Sequence, residues 1–324
     1  MWTSPHMLSI GVKDLNFAYT CDNKRYHTLN YHNLRKFGRK IHKAVLECGF
    51  TCPNIDGSKG EGGCAFCDSG SGYFTKPELS LQEQLSAELS RLRKKYDKDI
   101  AVNAYFQANT NTYAPTAALR RLFEQVLSFP EVVSISIGTR ADCLPDDVLE
   151  LLSELNERTY LTVELGMQTV HDVTKDKMNI CCTHEEFLKG YMSLKGRGIR
   201  TCLHIINGLP GETQEMMLET AKVTAKLCPE AVKLQMLHTI RGTRLAEAYL
   251  RGEFTLMERD EYISLIVKQL ELLPPETVIE RITGDGDKSK LIAPKWTADK
   301  LAVLGGIDKK LAELDTWQGR RYCI

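Results

Sequence analysis

The sequence has no apolar run approaching the roughly 20 residues that cross a bilayer, which predicts a protein without a membrane-spanning helix. It has no excess of charge of either sign, since 42 Lys and Arg stand against 42 Asp and Glu. That balance excludes a highly charged disordered chain and a protein basic along its whole length, so any nucleic-acid contact must be local. No apolar signal segment lies within Met1–Arg39, which predicts a cytoplasmic protein whose thiols stay reduced. Long repeats and low-complexity tracts are also missing. What is present in unusual number is cysteine, 11 in 324 residues. An odd number cannot all pair within one chain, and crowded reduced thiols point to metal ligation.

From about Ile41 onward, short β-branched runs alternate with longer amphipathic segments, the pattern of βα units around a parallel sheet. The expected strands are Lys43–Cys48, Ile100–Phe106, Val132–Ile137, Tyr160–Leu165, Ile199–Ile206 and Ala231–Leu237. Between them, Leu81, Leu85, Leu89 and Leu92, and then Leu119, Leu122, Phe123 and Val126, fall at helical spacing. Pro115 and Pro145 sit where first helical turns would begin, and Thr183 with Glu186 has capping-box spacing before Phe187–Leu194. No Gly-x-Gly-x-x-Gly follows the first strand, which argues against an open dinucleotide-binding sheet. The expected fold class is therefore α/β, a partial (β/α)6 TIM-like barrel over residues 41–250. In such a barrel the chemistry gathers in the loops after the C-terminal strand ends.

Two flanks differ from this core. Residues 1–40 form a basic extension: Asp22–Lys43 holds Lys24, Arg25, Arg35, Lys36, Arg39, Lys40 and Lys43 against one acid, with Tyr26, Tyr31 and Phe37 interleaved. Residues 251–324 form an extension that is expected to close the barrel. It carries a helical stretch through Leu265–Leu273, a short run Thr277–Ile282, the loop Ile292-Ala293-Pro294-Lys295-Trp296 and a last helix over Ala298–Leu314.

Directly after the first strand come Cys48, Cys52, Cys64 and Cys67, the last two as C-x-x-C. Thiolates crowded in this way bind soft or borderline cations and clusters. Local spacing leaves two readings open. All four thiolates can close a structural zinc site in a non-catalytic binding module. Alternatively Cys48 is a strand end, and Cys52, Cys64 and Cys67 bind three irons of a four-iron cluster, leaving one iron free for a cofactor or substrate. Cys21, Cys143, Cys181, Cys182, Cys202, Cys228 and Cys323 are scattered and read as bystanders.

Several segments together resemble the radical S-adenosylmethionine (SAM) superfamily, and within it the YhcC/YtqA-type family related to the Elongator catalytic subunit. They are Tyr26-His27-Thr28-Leu29-Asn30, Phe50-Thr51-Cys52-Pro53-Asn54, Gly62-Gly63-Cys64-Ala65-Phe66-Cys67, Tyr105-Phe106-Gln107-Ala108-Asn109-Thr110-Asn111-Thr112, Gly138-Thr139-Arg140-Ala141-Asp142, Val163-Glu164-Leu165-Gly166-Met167-Gln168, His204-Ile205-Ile206-Asn207-Gly208-Leu209-Pro210 and Ile292-Ala293-Pro294-Lys295-Trp296. The superfamily commonly has C-x3-C-x2-C with an aromatic residue before the last cysteine. This chain has C-x11-C-x2-C and keeps Phe66 at the aromatic position, a long first spacing that resembles the Elongator-type branch.

The resemblance implies a [4Fe-4S] cluster on Cys52, Cys64 and Cys67, with SAM on the open iron. Its reductive cleavage would give methionine and a 5′-deoxyadenosyl radical that abstracts hydrogen from an unreactive carbon. The protein's part is to hold the target carbon close and to exclude water. The family's usual Gly-Gly-Glu segment is absent. Asn109, Thr110, Asn111 and Thr112, after Gln107, stand in its place as candidates for the methionine part, or as caps of the next helix. Arg140 is a candidate for the cofactor carboxylate or for a structural ion pair. Glu164 and Gln168 are candidates for ribose or the amino group, and Asn207, Gly208 and Leu209 for adenine. His204 and His238 read as hydrogen-bonded wall residues.

Relatives around the Elongator subunit act on the wobble uridine of tRNA. The resemblance therefore points to the tRNA anticodon region and to remodelling of a C5 side chain, for instance a carboxymethylaminomethyl group converted to aminomethyl. It also implies a reductant such as flavodoxin or ferredoxin. Candidate substrate contacts are Tyr26, Tyr31, Arg35, Lys36, Arg39, Arg241, Lys295 and Trp296, because a splayed base needs stacking surfaces and its phosphates need cations. The alternatives are a radical enzyme acting on a small metabolite or a protein side chain, and a charged arm that packs its tyrosines on the barrel.

Overall fold

The computed structural model describes residues 17, 19–20, 22, 24–68, 78–96, 99–284 and 286–323; Cys21, Asp285 and the first 16 residues of the N-terminal extension lie outside them. The β-branched runs become strands, and each is followed by a helix that returns the chain for the next parallel strand. In order these are α1 (Leu29–Phe37), β1 (Ile41–Leu46), α2 (Leu81–Lys95), β2 (Ala101–Phe106), α3 (Thr116–Leu127), β3 (Val132–Thr139), α4 (Asp146–Arg158), β4 (Tyr160–Gln168), α5 (Asp172–Lys177), α6 (His184–Lys195), β5 (Thr201–Asn207), α7 (Gln214–Leu227) and β6 (Ala231–Met236). After β6 come β7 (Thr239–Ile240), α8 (Arg244–Leu250), α9 (Arg259–Leu272), β8 (Val278–Arg281), β9 (Leu291–Ala293) and α10 (Lys300–Glu313).

The sheet has seven strands in the order β1-β2-β3-β4-β5-β6-β8, all parallel, and curls into a partial barrel. The sequence leads to only six. The seventh, β8, comes from the short run Thr277–Ile282, which no following β-branched strand or long helix marks as a barrel unit; it pairs with β6 through Ala231 with Val278 and Val232 with Ile279. The C-terminal segment thus adds a strand to the sheet as well as helices. β3 and β4 run past their expected ends because Gly138 and Gly166 continue the ladder, Gly138 opposite Glu164. Helix punctuation follows the sequence. Thr183 and Glu186 form a capping box at α6, and Pro145 occupies the N-cap of α4.

Period-two alternation sorts the strand residues between two environments. Ala44, Phe106, Ile135, Val163, Leu203 and Val232 face the helices and are at most 1% exposed. Phe106 meets Phe123 of α3 edge-on, with ring centroids 5.1 Å apart. The opposite parity, which faces the hollow, holds Lys43, Asn103, Tyr105, Ser136, Thr162, Glu164, His204 and Lys233. A TIM-barrel interior normally fills with branched apolar side chains, so this polar lining marks a binding cavity.

The basic flank lies at the other end of the molecule from the cysteine loop. α1 covers the N-terminal strand ends: His32 Nε2 is 2.8 Å from the hydroxyl of Tyr160, the first residue of β4, and Lys36 stands over the same ring. Ile279 N donates to His27 O at 2.8 Å, which binds the segment before α1 to the edge of β8. Tyr26 is buried at 6% exposure, Tyr31 is half-buried against His27, and Arg39 pairs with Asp99 at 2.9 Å. Lys24 pairs with Asp308 of α10 and Arg25 with Asp315. The arm thus packs on the N-terminal end of the barrel, with Arg35, Lys36 and Lys40 exposed.

Candidate active site

The site begins where β1 ends. Between Cys52 and Cys64 the chain folds into a compact knot: Ile55 N and Asp56 N donate to Cys52 O at 2.7 and 3.1 Å, and Gly63 N donates to Asn54 O at 2.7 Å. Gly62 and Gly63, both at φ of +72°, provide the left-handed turn that delivers Cys64. Cys67 N then donates to Cys64 O at 3.0 Å, so the C-x-x-C pair lies within one turn. The knot is fastened to the barrel by Ala65 N to Met178 O at 2.8 Å, and to α8 by Leu245 N to Ala65 O at 2.9 Å.

These cysteines open on a cavity of about 320 Å³ at the C-terminal ends of the strands. Of the sequence candidates, Cys52, Cys64, Cys67, Phe66, Gln107, Asn109, Thr110, Arg140, Glu164 and Gln168 line it. Cys48 does not. Burial pushes the Cys48 thiol up to about 12, and Glu47 is the one charged group that adds to the shift. Burial also pushes Cys64 up to about 12, and there Cys67 and Cys52 add their repulsion. Mutual destabilisation of neighbouring thiolates is relieved by a bound cation.

Backbone strain concentrates on the same wall. Ala108, Asn109 and Gln168 have φ of 74°, 56° and 58°, in the region that side chains seldom adopt. All three line the cavity, and strained backbone held by surrounding structure tends to collect at functional sites. Asn109 Nδ2 donates to Phe50 O at 2.7 Å, while its buried Oδ1 has no partner; Glu164 Oε1 is likewise buried and unpaired. Buried acceptors without partners are costly in an empty site and suited to a ligand that carries donors.

Other candidates stand elsewhere. Asn111 donates to Ala108 O at 3.0 Å and Gly138 O at 2.9 Å, and Thr112 Oγ1 meets Thr139 Oγ1 and Cys143 O, each at 2.6 Å. Both are structural ties beneath the wall. Asn207 exchanges amide hydrogen bonds of 3.0 and 2.8 Å with Gln269 of α9, and Leu209 is 1% exposed, so Asn207, Gly208 and Leu209 serve helix packing and do not line the cavity. Arg140 lines the cavity, but its guanidinium already makes two bonds to Asp142, at 2.9 and 2.8 Å, and one each to Ile180 O and Cys181 O. Trp296 Nε1 donates to Met257 O at 3.1 Å and Lys295 Nζ to Leu291 O at 2.8 Å. Arg241 is exposed, beside the β7–β9 pairing.

Three residues on the cavity floor were missed as chemistry: Tyr105, Lys233 and Arg281. Lys233 Nζ bonds Glu164 Oε2, which also meets His204 Nε2 at 2.7 Å. His204 is thus the hydrogen-bonded wall residue that the sequence suggests. Burial would raise the Glu164 carboxyl, yet Lys233, His204 and Lys43 hold it well below the usual carboxylate range. Burial together with Lys233 pushes Lys43 down to about 8. Strand parity carries a signal for this cluster, because Glu164, His204 and Lys233 share the inward face of neighbouring strands.

The fold and site thus define a partial α/β barrel whose C-terminal mouth carries three cysteines of one loop. Residues 57–224 match the family described as the Radical SAM superfamily, and residues 229–313 match the Radical_SAM C-terminal domain. The chain belongs to the radical SAM superfamily, a family of enzymes whose cofactors are SAM and a [4Fe-4S] cluster. It is 47% identical over 308 residues to YtqA of Bacillus subtilis, across 94% of this chain and 95% of that one. A more distant relative is the tRNA uridine(34) acetyltransferase of Methanocaldococcus jannaschii, 28% identical over 156 residues, which are 47% of this chain and 28% of that protein. Among solved structures, the Elp3 of Methanocaldococcus infernus superposes with a TM-score of 0.61 at 18% identity over 83% of this chain and 63% of that one, a likeness of fold. Membership of an enzyme family sets aside the non-catalytic zinc module. No helix among the described residues is long and apolar enough to cross a membrane.

Proposed function

We propose that Cys52, Cys64 and Cys67 hold the cluster, that SAM lies in the adjoining cavity, and that the enzyme modifies the C5 side chain of a wobble uridine in tRNA. The observation that carries the cofactor reading is the convergence of three thiols on one cavity with unpaired buried acceptors at Asn109 and Glu164. When bound, the cluster and SAM supply one-electron reductive cleavage to a 5′-deoxyadenosyl radical. The chain's own residues do the rest. Asn109 and Thr110 present a carbonyl and a hydroxyl to the amino-acid end of SAM, and Gln107 and Gln168 offer amides. Glu164, kept ionised by Lys233 and His204, accepts from hydroxyl or amino donors without needing a proton of its own. Phe66 and the knot around it pack beside the cysteines and cover part of their surface.

The tRNA reading is supported by the relative named as a tRNA uridine(34) acetyltransferase. Because the basic flank covers the far end of the barrel, the phosphate contacts belong to cations near the mouth: Arg241, Lys288 and Lys295 are exposed around β7 and β9, next to the α8 segment that bonds the cysteine knot. The product is proposed to be an aminomethyl-type uridine, with electrons from a flavodoxin- or ferredoxin-like reductant. Two measurements test this. Mass spectrometry of tRNA nucleosides from cells with and without the gene should show one wobble-uridine precursor accumulating in its absence; an unchanged profile removes tRNA. Charge reversal at Arg241, Lys288 and Lys295 should weaken tRNA binding, while the same change at Arg35, Lys36 and Lys40 should leave it intact.

A further inference from the structure

Eleven residues separate Cys52 from Cys64, so a loop of this length needs an internal brace if its sulfurs are to converge. Asn54 supplies it. Its side chain is fully buried at 0% exposure, its backbone carbonyl accepts from Gly63 N at 2.7 Å, and its Nδ2 donates both to Cys64 Sγ at 3.4 Å and to the backbone carbonyl of Asn179. Asn179, in the left-handed region at φ of 51°, returns bonds to Gly63 O at 2.7 Å and Glu61 O at 3.1 Å. The two asparagines clasp the knot to the segment after α5. Space is reserved for the clasp: a Cβ on Gly60 would stand 2.3 Å from Asn54 Oδ1.

We propose that Asn54 is a positioning residue that also sets the reduction potential of the cluster, through its N–H···S hydrogen bond to Cys64. The proposal rests on the three-cysteine ligation proposed above. Reduction adds negative charge that is shared with the thiolate sulfurs, so a donor aimed at a sulfur stabilises the reduced form more than the oxidised one. Asn54 is itself fully buried, so an apolar side chain in its place leaves no solvent donor at that point to replace the amide. Arg140 is the other donor-rich group nearby, but its bonds are taken by Asp142, Ile180 and Cys181.

The test uses the anaerobically reconstituted protein, with iron and sulfide per chain and the midpoint potential of the cluster as readouts. Asn54→Leu removes the donor, Asn54→Asp removes it at nearly constant shape, and Asn179→Ala loosens the clasp without removing the donor to Cys64. Asn54→Leu should lower the potential by roughly 59 mV, a tenfold change in a one-electron equilibrium, and Asn54→Asp by at least as much. Asn179→Ala should reduce iron content while its loaded fraction keeps the wild-type potential. The proposal is overturned if both Asn54 variants hold a cluster at the wild-type potential. It is equally overturned if neither takes up any cluster, since the amide then acts on loop shape alone. Cys64→Ala separates this failure from that of the ligation reading: a full cluster in that variant sinks the ligand assignment, whereas its loss beside unshifted Asn54 variants sinks only the role of Asn54.

Discussion

Lys233→Met tests whether the charged floor of the barrel is built as described. The side chains of Lys233 and Glu164 are 2% and 0% exposed. Methionine keeps the length and much of the volume of lysine, so the change removes charge and leaves packing largely intact. Deleting one member of a buried ion pair leaves the other uncompensated and costs about 3–5 kcal/mol. At about 2.1 cal/mol/K per residue, 324 residues give an unfolding entropy near ~0.7 kcal/mol/K. The melting temperature of the cofactor-free protein should therefore fall by about 4–7 °C.

The loss should depend on pH as well. In the wild type, burial would raise the Glu164 carboxyl, but Lys233 leads the groups that depress it. A carboxyl depressed in the folded state contributes stability above its unfolded pKa, which is lost as pH falls through the folded value. Without Lys233 the folded pKa rises, because burial then opposes only His204 and Lys43. The stability that the depressed carboxyl contributes at higher pH shrinks, so the variant should lose less stability near pH ~5 than near pH ~8. Lys233→Met combined with Glu164→Gln should recover part of the loss, because the carboxylate that lost its Lys233 partner is gone, while Glu280 keeps Arg200 at 3.7 Å. Thermal unfolding followed by circular dichroism at both pH values reads all of this. A single variant within about 1 kcal/mol of wild type at both pH values, or a double variant no better than the single, would refute the reasoning.

Asp142 is held below the usual carboxylate range against burial, first by its hydrogen bonds to Arg140 and then by Lys59, which stands 2.7 Å away. Its stabilisation is present above the unfolded carboxyl pKa and is lost in acid; Asp142→Asn should cost about 3 kcal/mol at neutral pH and flatten the acid limb of the stability profile. In α6 a Cβ on Gly190 would lie 2.0 Å from the carbonyl of Ala141. Backbone cannot yield cheaply, so Gly190→Ala should destabilise by about 1–3 kcal/mol or more in a denaturant titration. Cys64→Ser should abolish iron uptake on reconstitution, and Cys48→Ser should retain it; equal loss in both would restore a four-cysteine site.

Much of the fold could be read locally. The strand runs, the capping box at Thr183 and the proline-marked helix starts depend on residues a few positions apart, and they appear close to where periodicity places them, though β1 spans Ile41–Leu46 and not Lys43–Cys48, so that Cys48 lies past the strand end. The seventh strand escaped because a run as short as Val278–Arg281 has little periodicity of its own and is defined by its pairing with β6. The position of the basic flank follows from its connection to β1. α1 ends at Phe37 and β1 begins at Ile41, so the linker enters β1 at its N-terminal end. A six-residue strand, roughly 20 Å long, then separates α1 from the mouth.

The sequence by itself determined the alternation of strands and helices, the cysteine loop after the first strand and the Cys64–Cys67 pair, because each is set by neighbours along the chain. Only the tertiary structure decided which polar groups meet. Glu164 and Lys233 lie 69 residues apart, and their pairing depends on the register of β4, β5 and β6. Likewise the commitment of Arg140 to Asp142, of Asn207 to Gln269 and of Asn54 to Cys64 settles by contact what composition leaves open. A hydrogen-bonding side chain takes whichever partner folding brings within about 3 Å, and residue type alone does not record that partner.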